Sequence, residues 1–167
     1  RSRTASLRAS PPFGWALGLG IGSMQACVLI FRLFDQELAY SDYSGVNVIS
    51  LTLAIVIALC SSLGHALLAC WQGAELLENN RLRPYVISTV YRGALTTLLV
   101  LSLFTPFTLI AVLPGLALAW NKAQSHWLPS GMTPAAKQAY RRTTRQSERH
   151  KEASESRIRG ENIDSDE

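Results

Sequence analysis

Charged side chains are scarce in the first two thirds of this chain, which has 167 residues. Residues 93–120 form a run of 28 positions without Asp, Glu, Lys or Arg. Hydrophobic residues make up 48% of the sequence and charged residues 17%, and the mean hydropathy is positive at +0.13. Soluble domains carry roughly 25% charged residues, and uncharged apolar runs beyond about 18 residues are typical of membrane helices. The scarcity of charge therefore argues against a soluble globular domain and predicts an integral membrane protein.

The sequence also lacks the short motifs that mark common catalytic and metal sites. It contains no Walker loop, no H-E-x-x-H and no G-x-S-x-G. Its three cysteines, Cys27, Cys60 and Cys70, lie in apolar runs without C-x-x-C spacing, where a thiol behaves as a small hydrophobic group. We therefore expect no enzyme activity, no metal and no cofactor, and we expect no nucleic acid among the partners.

Polar connectors divide the apolar part of the chain into segments long enough to cross a bilayer. As one helix, residues 93–120 would reach about 42 Å, against a hydrocarbon core of about 30 Å. Pro106 and Pro114 interrupt this stretch, because each removes a helical hydrogen bond. The predicted segments are a basic N-terminal arm (1–12), a first transmembrane helix (13–34), an acidic loop (35–45), a second transmembrane helix (46–72), a cytoplasmic loop (73–84), a Pro-broken pair or re-entrant hairpin (85–120) and a charged cytoplasmic tail (121–167).

Basic residues indicate which side of the membrane each connector occupies. Arginines occur in the arm and in the 73–84 loop, and nine basic residues follow from Lys122 onward, whereas the 35–45 loop is acidic. Because positively charged connectors stay in the cytoplasm, both termini are predicted to be cytoplasmic, so residues 85–120 must enter the membrane and return. A single crossing after residue 84, which gives three spans, is the alternative.

These observations predict an all-α integral membrane protein. The expected fold is a small multi-pass helical bundle of two spanning helices plus the Pro-broken pair or hairpin. A charged tail that is partly helical or disordered would follow it.

Small residues recur at every fourth position in both predicted transmembrane helices. Such rows let two backbones approach closely, and in lipid this contact replaces the missing hydrophobic driving force. Since a short loop joins the two helices, we expect them to pack as antiparallel neighbours through these rows. The first row is Gly14, Gly18, Gly22 and Ala26, and the second is Ser50, Ala54, Ala58, Ser62, Ala66 and Cys70.

Few polar side chains fall within the apolar segments, and Gln25, His65 and Arg92 are the most prominent. Ionisable residues inside a membrane are functional-site candidates by default. His65 and Arg92 are each about seven residues from the cytoplasmic end of their predicted segment, so they are expected at similar depth. The alternative is structural: Arg92 extends to the lipid head groups, and His65 bonds a neighbouring hydroxyl or carbonyl group.

The tail is divided into a basic and an acidic block. Residues 137–151 carry a net charge of +5, and residues 152–167 carry −4. Thr133 followed by Pro134 predicts a helix start, and the scarcity of apolar residues predicts disorder after Gly160. We expect an anionic surface, either lipid or an acidic partner, to contact Lys137, Arg141, Arg142, Arg145, Arg149 and Lys151.

Three classes of function are compatible with this sequence. The scarcity of chemical groups favours a non-catalytic accessory or assembly subunit, whose partners are the lipid bilayer and other membrane-protein subunits. A holin-like pore former agrees with the small size, few spans and charged tail. A small transporter subunit is indicated only by the break at Pro106.

Overall fold

The computed structural model describes residues 8–35 and 45–159 of the chain. Regular secondary structure in these two ranges is entirely helical, as the sequence predicts. Parts of three predicted segments lie outside the described residues: the start of the basic arm, most of the acidic loop, and the tail beyond residue 159. The helices are α1 (Ser10–Phe34), α2 (Val48–Leu77), α3 (Leu82–Leu101), α4 (Thr108–Lys122), α5 (Leu128–Ser130) and α6 (Pro134–Ile158), and a π-helical turn (Ala123–Trp127) joins α4 to α5.

Three of these helices, α1, α2 and α3, are long and apolar enough to cross a membrane. At about 1.5 Å per residue, α3 alone spans about 30 Å, the thickness of a hydrocarbon core. The chain breaks at Pro106 within residues 85–120, where a Pro-broken pair or re-entrant hairpin was predicted, but the first member, α3, is long enough to span a membrane by itself. The reason lies at the start of α3, which begins at Leu82 because Pro84 falls in the first turn, where a missing N–H is tolerated.

The helical run is interrupted at residues 102–107, between α3 and α4. Pro106 lies in this break, where it cannot donate a backbone hydrogen bond. Local bonds occupy some of the freed groups: the backbone N–H of Ser102 donates to Leu98 O at 3.0 Å, and Thr108 Oγ1 donates to the same oxygen at 3.2 Å. Internal hydrogen bonds of this kind are what non-helical backbone requires near a bilayer.

α4 continues through the π-helical turn and α5, so the chain is helical over residues 108–130. Two contacts place the end of this run beside the start of α1. The ring centroids of Trp120 and Trp15 are 5.7 Å apart, and a Cβ added to Gly131 would meet the carbonyl oxygen of Arg8. The helical run after the break therefore returns to the end of the bundle at which α1 begins.

α1 and α2 are antiparallel, and their backbones are in contact. A Cβ added to Gly14 would overlap the carbonyl group of Ala69, and one added to Gly22 would lie 2.6 Å from Ser62 Cα. Contacts between carbon atoms are normally about 3.5–4.0 Å long. Only glycine therefore fits at these positions of α1.

The apolar core lies toward the end of the bundle where α1 ends and α2 begins. It is formed by Leu29, Leu33, Leu53, Ala54, Ile57, Cys60, Leu95, Leu99, Leu103, Leu109 and Val112. α2 is the central helix, because 61% of its 18-residue apolar stretch is buried inside the bundle, against 28% for α1 and 22% for α3. The outer faces of α1 and α3 are left open.

The chain divides into two compact units, Arg1–Gly131 and Met132–Glu167, and the second contains α6. Thr133 caps this helix by accepting a hydrogen bond from the backbone N–H of Ala136 at 3.3 Å, and Pro134 occupies its first turn. None of the residues of α6 is buried. The described part of this helix therefore has no buried core of its own.

Candidate functional site

Four polar side chains, Ser61, His65, Gln72 and Glu75, lie on one face of α2. Their spacings of four, seven and three residues return to the same side of an α-helix. We call this row the polar stripe. It begins near the middle of α2 and ends in its last turn. Because α2 is the central helix, both α1 and α3 supply partners to the stripe.

Gln25 of α1 contacts Ser61 and His65, the two residues of the polar stripe that lie nearest the middle of α2. Its Oε1 atom lies 2.5 Å from His65 Nε2 and 3.5 Å from Ser61 Oγ. Ser61 donates to the carbonyl oxygen of Gly22 at 2.8 Å, and only 6% of the His65 surface is exposed. With Gln25 Oε1 as the acceptor, the His65 ring donates from Nε2. The contact therefore joins α1 to α2 through buried side chains.

Gln72, which lies nearer the end of α2, connects the polar stripe to α3. Arg92 Nη2 donates to Gln72 Oε1 at 2.9 Å, and Gln72 Nε2 donates to Ser88 Oγ. Ser88 is fully buried and also donates to the carbonyl oxygen of Tyr85 at 3.1 Å. The amide of Gln72 thus binds two side chains of α3 at once and fixes the register of α2 against α3.

Three buried side-chain nitrogens of these contacts have no hydrogen-bond partner within the described ranges: Gln25 Nε2, His65 Nδ1 and Arg92 Nε. An unpaired buried polar group costs about 1–3 kcal/mol. The two contacts are therefore not arranged for maximal stability, although they are the main polar connections between the helices.

A cavity of about 180 Å³ lies where α2 ends and α3 begins. It is lined by Trp71, Glu75, Arg83, Pro84 and Ile87. The carboxylate of Glu75 accepts hydrogen bonds from Trp71 Nε1 at 3.1 Å and from Asn80 Nδ2 at 3.3 Å, which fix its orientation. We call this the turn cavity.

The structure places the predicted polar residues in two different contacts. His65 bonds Gln25 of α1, whereas Arg92 bonds Gln72, so the structure does not show a shared hydrogen bond between His65 and Arg92. Sequence reasoning missed Gln72, because the second helix was predicted to end at that residue. The spacing of the polar stripe was the available signal for it.

The small-residue rows are placed in several ways. Gly14, Gly18 and Gly22 face the backbone of α2, and Ala26, Ala54, Ala66 and Cys70 are buried, while Ala58 and Ser62 are partly buried. Ser50 is also fully buried, and it has a role that the row did not predict. It forms a capping box with Asn47 at the start of α2, since Ser50 N donates to Asn47 Oδ1 at 2.7 Å.

The predicted anionic-surface residues all lie on α6. Arg141, Arg142, Arg145, Arg149 and Lys151 are exposed, and Lys137 is partly exposed. Their guanidinium and ammonium groups are thus available to an external anionic group.

In the described apolar helices, the ionisable groups shielded from solvent include the His65 imidazole, the partly buried Arg92 guanidinium and the thiols of Cys60 and Cys70. Within the described part of the chain, no three His, Cys, Asp or Glu side chains are grouped so that they could hold a metal ion. The arrangement can therefore bridge helices through hydrogen bonds, and it can present charge at the turn cavity. No protein-family model, curated protein or solved structure matches this chain.

Proposed function

We propose that this chain is a multi-pass membrane protein that acts as a non-catalytic accessory or assembly subunit of a larger membrane complex. One observation carries the proposal. The polar side chains of the apolar helices bond one another across helix interfaces, as Gln25 does with His65 and Gln72 with Arg92. These bonds account for the polar side chains as links between helices, which supports a structural role.

The proposed topology has four crossings with both termini in the cytoplasm. A Cβ on Gly73 near the end of α2 would meet the carbonyl oxygen of Ser10 at the start of α1, and Gly131 lies beside Arg8. These contacts support placing the start of α1, the end of α2 and residue 131 at one end of the bundle. Arg81 in the connection after α2 and Arg83 at the start of α3 belong to the same end, in agreement with the positive-inside rule.

The open face of α3 is the proposed surface for partner subunits. Thr89, Gly93 and Thr97 are exposed and spaced by four residues, and a Cβ on Gly93 would meet nothing within 4 Å. The hydroxyl groups of Thr89 and Thr97 bond their own helix backbone at 2.9 Å, so they present small, satisfied surfaces. Rows of this kind permit close helix packing in lipid.

The basic side chains of α6 support a second, weaker attachment. Each Lys or Arg near an anionic membrane contributes about 1 kcal/mol of binding, and salt screens it. An anionic lipid surface or an acidic segment of a partner would serve equally as the counterpart.

A native pull-down in mild detergent tests the proposal. We expect a stoichiometric membrane partner with the wild-type chain, a loss of that partner with Gly93→Leu, and retention with the matched control Gly20→Leu, since Gly20 of α1 is equally open. The proposal fails if the chain is monodisperse alone, copurifies with nothing, and shows turnover or conductance that is lost in His65→Ala. Homo-oligomers together with dye leakage would favour the holin-like alternative.

A further inference from the structure

The turn cavity carries two opposite charges that do not neutralise each other. Arg83 and Glu75 both line it, yet they are not within the 4.0 Å that defines an ion pair. In the described ranges, the ion pair that forms joins Arg32 to Asp35, at 3.7 Å. The Glu75 carboxylate accepts bonds from Trp71 and Asn80, which are both neutral. The cavity therefore offers a separated anionic and cationic pole.

The position of the cavity points to the kind of molecule that would occupy it. It lies at the shared end of α2 and α3, both of which are long enough to cross a membrane. Tryptophan is enriched at the membrane–water interface, where lipid head groups lie, so Trp71 favours a position of the cavity at head-group level. Its volume of about 180 Å³ exceeds that of several water molecules, which take about 30 Å³ each.

We propose that the turn cavity binds the head group of a phospholipid that carries both a phosphate and a primary ammonium, the ethanolamine class. Arg83 binds the phosphate, because a guanidinium forms paired charge-assisted hydrogen bonds to phosphate oxygens. Glu75 accepts hydrogen bonds from the ammonium, and the ring of Trp71 adds a cation–π contact. Pro84 and Ile87 form the apolar wall beside the acyl chains.

Glu75 determines the selectivity among head groups. A choline group has no N–H to donate to the carboxylate, so it keeps an electrostatic attraction to Glu75 and the contact with the ring of Trp71 but forms no hydrogen bond. A glycerol head group brings the negative charge of its phosphate without an ammonium, so Glu75 would gain no cationic partner. Of these three head groups, ethanolamine alone supplies both a phosphate for Arg83 and an N–H donor with a positive charge for Glu75.

Native mass spectrometry of the purified full-length protein tests this site. The protein is exchanged into micelles with equimolar ethanolamine, choline and glycerol phospholipids that share the same acyl chains. We expect the ethanolamine lipid to be retained about tenfold more than either competitor, the difference that one extra charge-assisted hydrogen bond would produce. Equal retention of all three lipids, or preference for the anionic lipid, would overturn the proposal.

Variants separate the two poles. Arg83→Gln is expected to abolish retention of all three lipids, whereas Glu75→Gln is expected to remove only the preference for ethanolamine. Arg81→Gln and Glu78→Gln are matched controls from the same connection that do not line the cavity, and both should behave as wild type. A Glu75→Gln protein that keeps its full preference, while melting at the wild-type temperature, would contradict the assignment. This outcome is independent of whether a partner subunit is found.

Discussion

A methyl group added at Gly18 has no room between α1 and α2. An ideal Cβ at this position would lie 2.5 Å from Ala66 Cα and 2.7 Å from Ala66 N, and it would also overlap the carbonyl oxygen of His65. All three atoms belong to the backbone of α2, so no side-chain rotation can relieve the overlap. Carbon atoms in contact prefer about 3.5–4.0 Å, so the two helices would have to separate by roughly 1 Å.

The expected net destabilisation by Gly18→Ala is about 0–2 kcal/mol, or about 1–3 kcal/mol relative to the same change at an open position of the helix. Overpacking in a close-packed interface costs about 1–3 kcal/mol, and the gain in helix propensity on replacing glycine by alanine offsets up to about 1 kcal/mol of that. The separation also weakens the contact between Gln25 and His65, because the two residues belong to the same interface.

Gly20→Ala is the matched control on the same helix, two residues away. A Cβ at Gly20 meets nothing within 4 Å, so only the propensity gain remains and the variant should be neutral or up to about 1 kcal/mol more stable. Reversible unfolding of the purified protein by a denaturing detergent, followed by circular dichroism, measures both. Equal stability of Gly18→Ala and Gly20→Ala would refute the backbone contact between α1 and α2.

Three further predictions follow from other contacts. Gln25→Leu leaves both ring nitrogens of buried His65 unpaired and should cost about 1–3 kcal/mol in the same unfolding assay. The double variant with His65→Leu should lose less stability than the two single variants together, and strict additivity would show that the two side chains do not interact. Gln72→Leu removes the acceptor for Arg92 and the donor for Ser88 and should destabilise more than Gln124→Leu, at a partly buried position for which the structure shows no side-chain bond; equal losses would contradict the α2–α3 contact. A peptide of residues 132–159 should bind anionic vesicles at low salt and release them at high salt. Failure to bind at low salt would contradict the proposed contact between α6 and an anionic lipid surface.

Local sequence signals predicted where several helices begin or break. The Thr133–Pro134 pair coincides with the start of α6, because the threonine oxygen accepts a backbone N–H and the proline needs none. Pro106 lies in the break between α3 and α4, because a proline inside a helix lacks the backbone N–H that the helix requires. Glycines spaced by four along α1 are likewise visible in the sequence before any partner is known.

The partners of the polar residues were not predictable in this way. Gln25 and His65 are 40 positions apart, and their contact depends on the register in which α1 lies against α2. The end of α2 was also misplaced. The helix continues to Leu77 because Gly73 and Ala74 are buried, and Gly73 contacts the backbone of α1. This extension is what turns Glu75 from a loop residue into a lining residue of the turn cavity.

Four crossings with both termini in the cytoplasm underlie the proposals made for this protein. Cysteine labelling from the two sides of an intact membrane tests this most directly, in a variant without Cys27, Cys60 and Cys70. We predict that a cysteine at Ser154 in the tail and one at Asn80 in the connection after α2 react from the cytoplasmic side, while a cysteine at Ser44 reacts only from the opposite side. Labelling of the Ser44 and Ser154 variants from the same side would contradict the four-crossing arrangement.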